Sequence, residues 1–174
     1  MKKIIVIIVV LSFISLKGFN QLAIAGQQVP NPSLNRYVGT WYGVNGNKTI
    51  KLVLKKEFVN ILGAPMNYFT DVIIGYHEYK VDGIVVESSL SWSPFSTFIS
   101  KKYTILGSNA DLQNQFKGTI KDITNDKLGN INMQLNDNQN QLTWNVSNTH
   151  GIKLDNNFVP EFTFPTTGFI LFKE

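Results

Sequence analysis

Apolar and polar residues alternate with a period of two along most of the chain from Trp41 onward. Such alternation is typical of β-strands that bury one face, and no stretch sustains a helical period over three turns. Asn, Asp and Gly interrupt the alternating runs at short intervals, as turn residues do. The pattern predicts an all-β fold, a single antiparallel meander barrel of about eight or nine strands.

The predicted elements can be placed along the chain. Pro32 to Tyr37 predict a short helical turn, with Asn31 as its N-cap and Pro32 at the first helical position. Beyond the first hairpin, strands are predicted at Phe69–Val81, Ile84–Trp92, Lys102–Gly107, Gln115–Ile123, Gly129–Leu135, Gln141–Ser147 and Thr166–Phe172. These elements divide the chain after residue 25 into a lead-in with the helical turn, over residues 26–36, and one barrel domain over residues 37–174.

The first hairpin has the clearest pattern. Asn45-Gly46 is the pair preferred in a two-residue type I′ turn, since both central positions need positive φ. This turn would place Trp41 opposite Ile50. Three aliphatic residues of the return strand then share the face of Trp41: Ile50, Leu52 and Leu54.

A second hairpin is predicted around the Asp-Gly pair at positions 82 and 83. A two-residue turn there would make Glu78 face Glu87, and His77 face Ser88 on the other side of the ribbon. Two carboxylates about 5 Å apart match the spacing in a retaining glycosidase, so a hydrolase using Glu78 and Glu87 is one hypothesis. The mixed, polar character of their face favours a solvated acidic patch instead.

His77, Tyr79 and Ser88 are predicted on the inner face of the barrel. A Ser–His couple can act as nucleophile and base, but no Gly-x-Ser-x-Gly elbow surrounds this serine. Two other readings remain open. The polar pair satisfies its own hydrogen bonds inside the barrel, or it contacts a bound ligand.

An uncharged aromatic loop follows the second hairpin and contains Trp92, Phe95 and Phe98. Segments at residues 63–69 and 158–165 have a similar character. If exposed, such segments mark a binding surface or the mouth of a cavity. If folded inward, they cap the ends of the barrel.

Residues 1–25 predict a cleavable signal peptide. Lys2 and Lys3 precede an apolar run from Ile4 to Leu16, and the small-residue pattern Ala-Ile-Ala ends at Ala25. The run is shorter than the roughly 20 residues that span a bilayer, and no later segment approaches that length. We expect an exported, soluble protein, periplasmic or extracellular, with no membrane span.

Composition narrows the function classes further. Three of the 16 basic residues and none of the 12 acidic ones lie in the predicted signal peptide, so the net charge of the remaining chain is close to zero. This charge balance does not indicate binding to nucleic acid. The absence of cysteine excludes disulfides, thiolate metal sites and a lipid-anchored N-terminal cysteine. The two histidines, His77 and His150, have no metal-ligand spacing. We expect a monomer without metal or cofactor.

Tyr37-Val38-Gly39-Thr40-Trp41 resembles the opening of a lipocalin. In that fold a Gly-x-Trp begins the first strand, and an Arg near the end of the last strand stacks on the Trp. The resemblance implies a lipocalin-like barrel with structural roles for Gly39 and Trp41. The last strand here offers only Lys173, so the one arginine, Arg36, is the candidate for a cation–π contact with Trp41.

The chain also resembles an uncharacterised family of secreted Bacteroidota proteins. The likeness is carried by Val38-Gly39-Thr40-Trp41, by Asn45-Gly46-Asn47 with the run that follows it, and by Asp71-Val72-Ile73-Ile74-Gly75-Tyr76. The resemblance implies export and a single domain. It implies no activity and no site residues.

Two functional hypotheses follow. The first is a non-enzymatic protein that binds a small apolar ligand in a cavity lined by His77, Tyr79 and Ser88 and gated by the aromatic loop. The second is a cell-envelope module whose aromatic loops contact a protein or a glycan. A cavity of roughly 300 Å³ or more would favour the first hypothesis.

Overall fold

The computed structural model describes residues 26–62, 67–110, 114–149 and 161–174. The predicted signal peptide and His150 lie outside these ranges. The described chain forms a closed eight-stranded antiparallel barrel with two extra strands and almost no helix, so the predicted fold class is confirmed. In this part of the chain, no helix combines the length and the apolar character needed to cross a bilayer.

Ten strands are present in the described residues. They are β1 (Gln28–Val29), β2 (Gly39–Asn45), β3 (Lys48–Ile61), β4 (Tyr68–Val81), β5 (Ile84–Ser88), β6 (Ile105–Ala110), β7 (Gln115–Asp122), β8 (Lys127–Leu135), β9 (Gln141–Asn148) and β10 (Ile170–Lys173). The barrel runs β4-β3-β2-β10-β9-β8-β7-β6 and closes where β6 pairs with β4.

One edge of β4 is shared by three strands. The short β1 runs parallel to its beginning, β6 pairs with its middle at Ile73–Gly75, and β5 pairs with its end at Glu78–Val81. At its end, therefore, β4 pairs with a strand that does not continue the barrel. Between β5 and the turn that joins β7 to β8, side chains close the barrel wall.

Most predicted elements lie where the pattern placed them. The helical turn is a 3₁₀ helix over Pro32–Tyr37, and the Asn31 side chain accepts a hydrogen bond from the Ser33 N–H at 3.1 Å. Two strands are shorter than predicted by four residues at one end, since β10 begins at Ile170 and not at Thr166, and β5 stops at Ser88. A second 3₁₀ helix, Leu90–Trp92, replaces the rest of the predicted strand.

The prediction for the first hairpin is right about which residues share a face of the sheet and wrong about which residues pair across the strands. Gly46 and Asn47 form the turn, with Gly46 at φ 61°, so Trp41 lies opposite Leu52 and not Ile50. The shift is two residues in the pairing, and side chains in a strand alternate with a period of two. The predicted face therefore survives, and Ile50, Leu52 and Leu54 are all buried in the barrel.

Trp41 is fully buried, and its partner is not the one predicted. Its indole Nε1–H donates to the Tyr37 carbonyl at 2.8 Å, and the Lys173 ammonium lies 5.2 Å from the ring centroid. The guanidinium of Arg36 instead donates to Ser33 and Asn114, so the expected contact between Arg36 and Trp41 is wrong. The lysine near the end of the last strand occupies the position that the lipocalin resemblance gives to an arginine.

Gly39 makes this contact possible. Its φ is 131°, a conformation that side chains with a Cβ rarely adopt, and a Cβ would lie 3.0 Å from Lys173 Cε. A glycine therefore gives the lysine stem room to pass toward the indole. The predicted structural role of Gly39 has this physical basis.

Two hydrophobic clusters use the two faces of β3 and β4. The first fills the barrel, and the 3₁₀ helix at residues 32–37 adds Leu34 and Tyr37 to it. The second lies outside, where Val59, Val72, Ile74 and Tyr76 are covered by the segment from residue 90 to residue 103. Burial of both faces explains the nearly continuous apolar run of β4.

Candidate functional site

A β-bulge sets the geometry of the second hairpin. Asp82 and Gly83 form the predicted two-residue turn, with φ of 51° and 77°, as type I′ requires. The register then shifts between Tyr79 and Lys80, which leaves Val86 of β5 as the extra residue. A bulge inserts one residue into one strand, so every later side chain on β5 points to the other face.

The bulge overturns both predicted pairs. In the structure, Tyr79 lies opposite Glu87, and Glu78 lies opposite Ser88. The unbulged register had instead paired Glu78 with Glu87, and His77 with Ser88. Glu87 therefore points into the barrel and is 3% exposed. Glu78 stays outside as predicted, and Ser88, predicted on the inner face, lies outside with it and donates to its carboxylate at 3.3 Å. The two carboxylates lie on opposite faces of the ribbon and form no glycosidase-like pair.

His77 and Glu87 form a buried pair inside the barrel. Glu87 Oε1 lies 2.6 Å from His77 Nε2, and His77 is 1% exposed. On the other side of the ring, His77 Nδ1 is 2.9 Å from the Thr104 hydroxyl. Ser89, next to the serine that was predicted, accepts the His77 N–H at 3.0 Å. Both ring nitrogens thus have partners, so the imidazole is fixed in position.

Glu87 also closes the wall between β5 and the β7–β8 turn. Its two oxygens accept the backbone N–H groups of Ile123, at 3.2 Å, and Thr124, at 3.0 Å. Burial by itself raises the pKa of Glu87, but the hydrogen bonds from His77 and Thr124 favour the ionised form and bring that pKa down to about 2. The carboxylate is therefore charged at neutral pH.

The group of His77, Glu87, Ser89 and Thr104 contains the residue types of a catalytic triad. A triad needs its nucleophile at a surface that substrate can reach. Ser89 is 0% exposed and Thr104 is 3% exposed, and both hydroxyls are bonded to backbone carbonyls of β4. The arrangement supports a structural role, in which a polar group joins β4, β5 and the β7–β8 turn.

A second buried carboxylate, Asp122, ties the segment of residues 161–166 to the same turn. Asp122 is 0% exposed and accepts the Thr163 N–H at 2.5 Å and the Thr163 hydroxyl at 3.1 Å. Asn125, three residues later in the turn, donates to the Glu161 carbonyl at 3.0 Å. The β7–β8 turn therefore connects the buried His77–Glu87 pair with the segment that lies across the barrel end.

An open cleft of about 700 Å³ lies at this end of the barrel, between the segment 161–166 and the strand ends. Its lining combines aromatic rings with polar and cationic groups, among them Lys48, Tyr79, Lys127, Phe162, Phe164 and Thr166. The volume lies within the range usual for sites that hold small molecules. Tyr79 is the one residue of the predicted ligand set that lines it.

Tyr79 lines the cleft with a nearly buried side chain. Tyr79 is 5% exposed, and burial raises the pKa of its phenol above the ordinary value. No hydrogen bond of this hydroxyl is found within the described ranges. A hydroxyl without a partner in the described chain is available to a ligand that enters the cleft.

Phe164 forms the inner wall of the cleft. Its ring centroid is 5.0 Å from His77 and 5.5 Å from Trp144, and it also stacks on Phe162 at 5.4 Å. Trp144 is 1% exposed, and its indole nitrogen has no hydrogen-bond partner among the residues that the structure describes. The Trp144 ring, which carries this unpaired donor, is thus in contact with a residue that lines the cleft.

A family model of unknown function, DUF6705, matches residues 1–174. The chain belongs to the DUF6705 family. No curated protein and no solved structure matched the chain. Membership in the DUF6705 family supplies no activity, so function has to be argued from the geometry of the barrel and its cleft.

The aromatic loop lies away from the cleft. Trp92 and Phe98 pack in the cluster outside β3 and β4, where Phe98 stacks on Tyr103 at 6.1 Å. Phe95 is 88% exposed. The loop thus covers the outer face of the barrel, and the prediction that it gates the same cavity as His77 and Tyr79 is wrong. The third aromatic segment does cap a barrel end, as far as its described residues 161–165 show.

Several residues of the site were missed by sequence reasoning. Phe162 and Phe164 were part of a predicted cap, but nothing indicated that Phe164 reaches His77. Trp144 was placed only within the predicted strand Gln141–Ser147, with no role assigned to it. Asp122 had one usable signal, because an Asp at the end of a strand followed three residues later by Asn is typical of a side-chain-capped turn. The partner of that turn could not be read from the chain.

Proposed function

We propose that this protein is an exported, non-enzymatic binding protein that holds a small, largely apolar ligand in the cleft at the end of its barrel. The observation that carries the proposal is Tyr79, a nearly buried residue that lines the cleft and whose hydroxyl makes no hydrogen bond within the described chain. Two phenylalanines, Phe162 and Phe164, supply the apolar wall. The remaining lining is mainly polar and includes Lys48, Lys127 and Thr166, so polar groups of a ligand would find partners beside the two rings.

The buried polar group supports a binding role over a catalytic one. Hydroxyls of Ser89 and Thr104 are directed to backbone carbonyls, and the charge of Glu87 is used by His77 and two backbone N–H groups. These groups stabilise the barrel wall at the place where β5 leaves it. A ligand in the cleft would contact Tyr79 and Phe164 and would not reach this group while Phe164 is in place.

Export rests on the sequence. The basic start, the apolar run and the Ala-x-Ala pattern of residues 1–25 support cleavage of a signal peptide before Gly26, and those residues lie outside the described structure. We propose a periplasmic or extracellular monomer. Edman sequencing of the protein secreted by its own host should begin at Gly26, and retention of Met1 would contradict export by cleavage.

Native mass spectrometry of the protein purified from its own host tests the binding function. We expect the folded protein to carry additional mass that denaturation releases as a small molecule. The variants Tyr79→Phe and Phe162→Ala should retain less of it, while Phe98→Ala, on the outer cluster, should retain as much as wild type. Wild-type protein that carries no small molecule, and binds none from a host lipid and metabolite extract, would contradict the proposal.

A second candidate is an envelope interaction module, and one observation favours it. Phe95 and Ile99, in the uncharged aromatic loop, are each 88% exposed. Large apolar side chains at the tip of a loop are typical of contact sites for a protein or a glycan. Fractionation of host cells tests this role, because wild type should sediment with the envelope and a Phe95→Ser/Ile99→Ser variant should not. Equal distribution of the two proteins would rule it out.

A further inference from the structure

The barrel contains two buried indoles that differ in one respect. Trp41 donates its Nε1–H to the Tyr37 carbonyl at 2.8 Å, while Trp144 has no acceptor within the described residues. Leaving a buried donor unpaired costs about 1–3 kcal/mol, and such groups are rare in folded proteins. The Trp144 N–H therefore needs an explanation that packing alone does not give.

Phe164 contacts the Trp144 ring and also lines the cleft. Its ring centroid is 5.5 Å from that of Trp144 on β9 and 5.0 Å from that of His77 on β4. These two strands are four positions apart around an eight-stranded barrel, so they form opposite walls. The phenyl ring of Phe164 therefore crosses the lumen and blocks it.

The backbone beside Phe164 is fixed by hydrogen bonds, and its side chain is held by packing. Asp122 binds Thr163, and the Thr166 carbonyl accepts the Val146 N–H at 2.8 Å. Rotation of the phenyl ring out of the lumen leaves both of these anchors intact. The space that it would free lies between the cleft and the Trp144 ring.

We propose that the ligand replaces the Phe164 ring, and that it is an uncharged, mainly aromatic molecule with one carbonyl oxygen that accepts the Trp144 Nε1–H. The inference rests on the proposed binding function. An aromatic body fits between Trp144 and His77 as the phenyl ring does. A hydrocarbon would leave the indole unpaired. A carboxylate is disfavoured because burying a charge is costly and the ionised Glu87 lies 2.6 Å from His77.

Indole NMR signals test the proposal directly. The chain contains three tryptophans, so a ¹⁵N–¹H spectrum shows three indole resonances, and a Trp144→Phe variant assigns the relevant one. Acetophenone serves as the carbonyl probe, ethylbenzene as its counterpart without an acceptor, and benzoate as the charged probe. Wild type and Phe164→Ala are each titrated with all three.

Acetophenone should move the Trp144 indole proton downfield in both proteins, and should bind Phe164→Ala at least about tenfold more tightly because no ring has to leave. Ethylbenzene should bind about five- to tenfold more weakly than acetophenone, as expected for one missing hydrogen bond. Trp144→Phe should abolish that preference. Benzoate should leave the resonance unchanged.

Two further variants serve as controls. Phe162→Ala removes a wall of the cleft without exposing Trp144, so the preference for acetophenone should persist. Phe164→Leu removes the ring while keeping apolar volume, and replaces Phe164→Ala if that variant does not fold. Equal binding of acetophenone and ethylbenzene, or movement of the Trp144 resonance only when Phe164 is mutated, would overturn the proposal. A ligand at Tyr79 with an unmoved Trp144 resonance would overturn this inference and leave the binding function standing.

Discussion

Glu87 Oε1 lies 2.6 Å from His77 Nε2 in the interior of the barrel, although the unbulged register of the hairpin places Glu87 in solvent. The same carboxylate accepts two backbone N–H groups from the β7–β8 turn. One side chain thus closes the barrel wall where β5 departs from it. The stability of the barrel and the position of the turn both depend on this contact.

Glu87→Gln should destabilise the protein at neutral pH by about 3 kcal/mol, since one pKa unit corresponds to about 1.4 kcal/mol. The pKa of Glu87 falls from 4.5 to about 2 on folding, so the charged group stabilises the folded state fully above pH 4.5. That contribution is lost progressively as the pH falls from 4.5 to about 2. Urea unfolding at pH 7, 4.5, 3 and 2 measures the difference between variant and wild type, which should shrink over this interval.

Glu78→Gln is the matched control, because Glu78 is on the outer face of the same hairpin and pairs with Lys80 at 2.8 Å. A partly exposed ion pair contributes about 0–1 kcal/mol. A loss for Glu78→Gln as large as that for Glu87→Gln would contradict the distinct role assigned to the buried pair.

Asp122→Ala should release the segment of residues 161–166 from the barrel end. Asp122 is fully buried and makes two hydrogen bonds to Thr163, and removing it leaves those donors unpaired at a cost of about 2–4 kcal/mol. Hydrogen exchange followed by mass spectrometry should show faster exchange in peptides that cover this segment. Asp126→Ala, in the same turn but exposed and paired with Lys121, should leave the exchange unchanged. Protection that persists in Asp122→Ala would argue that other contacts hold the segment.

Lys173→Met should lower stability by about 0.5–1 kcal/mol, because the exposed ammonium interacts with the face of Trp41 and the stem can still pack. Lys173→Arg should be tolerated, since a guanidinium makes the same type of contact. Arg36→Met tests the partner that the sequence favoured, and should not change the environment of Trp41. Thermal unfolding and the fluorescence of Trp41 measure these effects. Equal stability of Lys173→Met and wild type would show that the cation contributes nothing here.

The alternating pattern was enough to predict an all-β fold and most of its strands. It placed Ile50, Leu52 and Leu54 on the face of Trp41, and this survived a wrong turn because the error was an even number of residues. The same reasoning failed at the second hairpin, where the turn was right and a bulge shifted the pairing by one. A one-residue shift reverses inside and outside, and it carried Glu87 from the predicted surface into the core.

The candidate site was predictable only in part. Tyr79 was identified as inward-facing, and the segment around Phe162 and Phe164 as a cap. The contacts that define the cleft join residues far apart in the chain, such as His77 with Phe164 and Asp122 with Thr163. No local preference encodes these pairs. The aromatic loop was misplaced for the same reason, because its apolar character showed that it must be covered or bound without showing which surface it covers.

The sequence by itself predicted an all-β fold with Trp41 on an apolar face, since a period of two and well-placed turn residues are local properties. The resemblance to lipocalins at Gly39 and Trp41 added the expectation of a barrel. The tertiary structure decided that Lys173 lies on Trp41, that Glu87 closes the wall, and that Phe164 fills the lumen in front of Trp144. These contacts depend on how the barrel closes and on one bulge within it. Both arise from packing among distant strands, which the order of residues along one strand does not reveal.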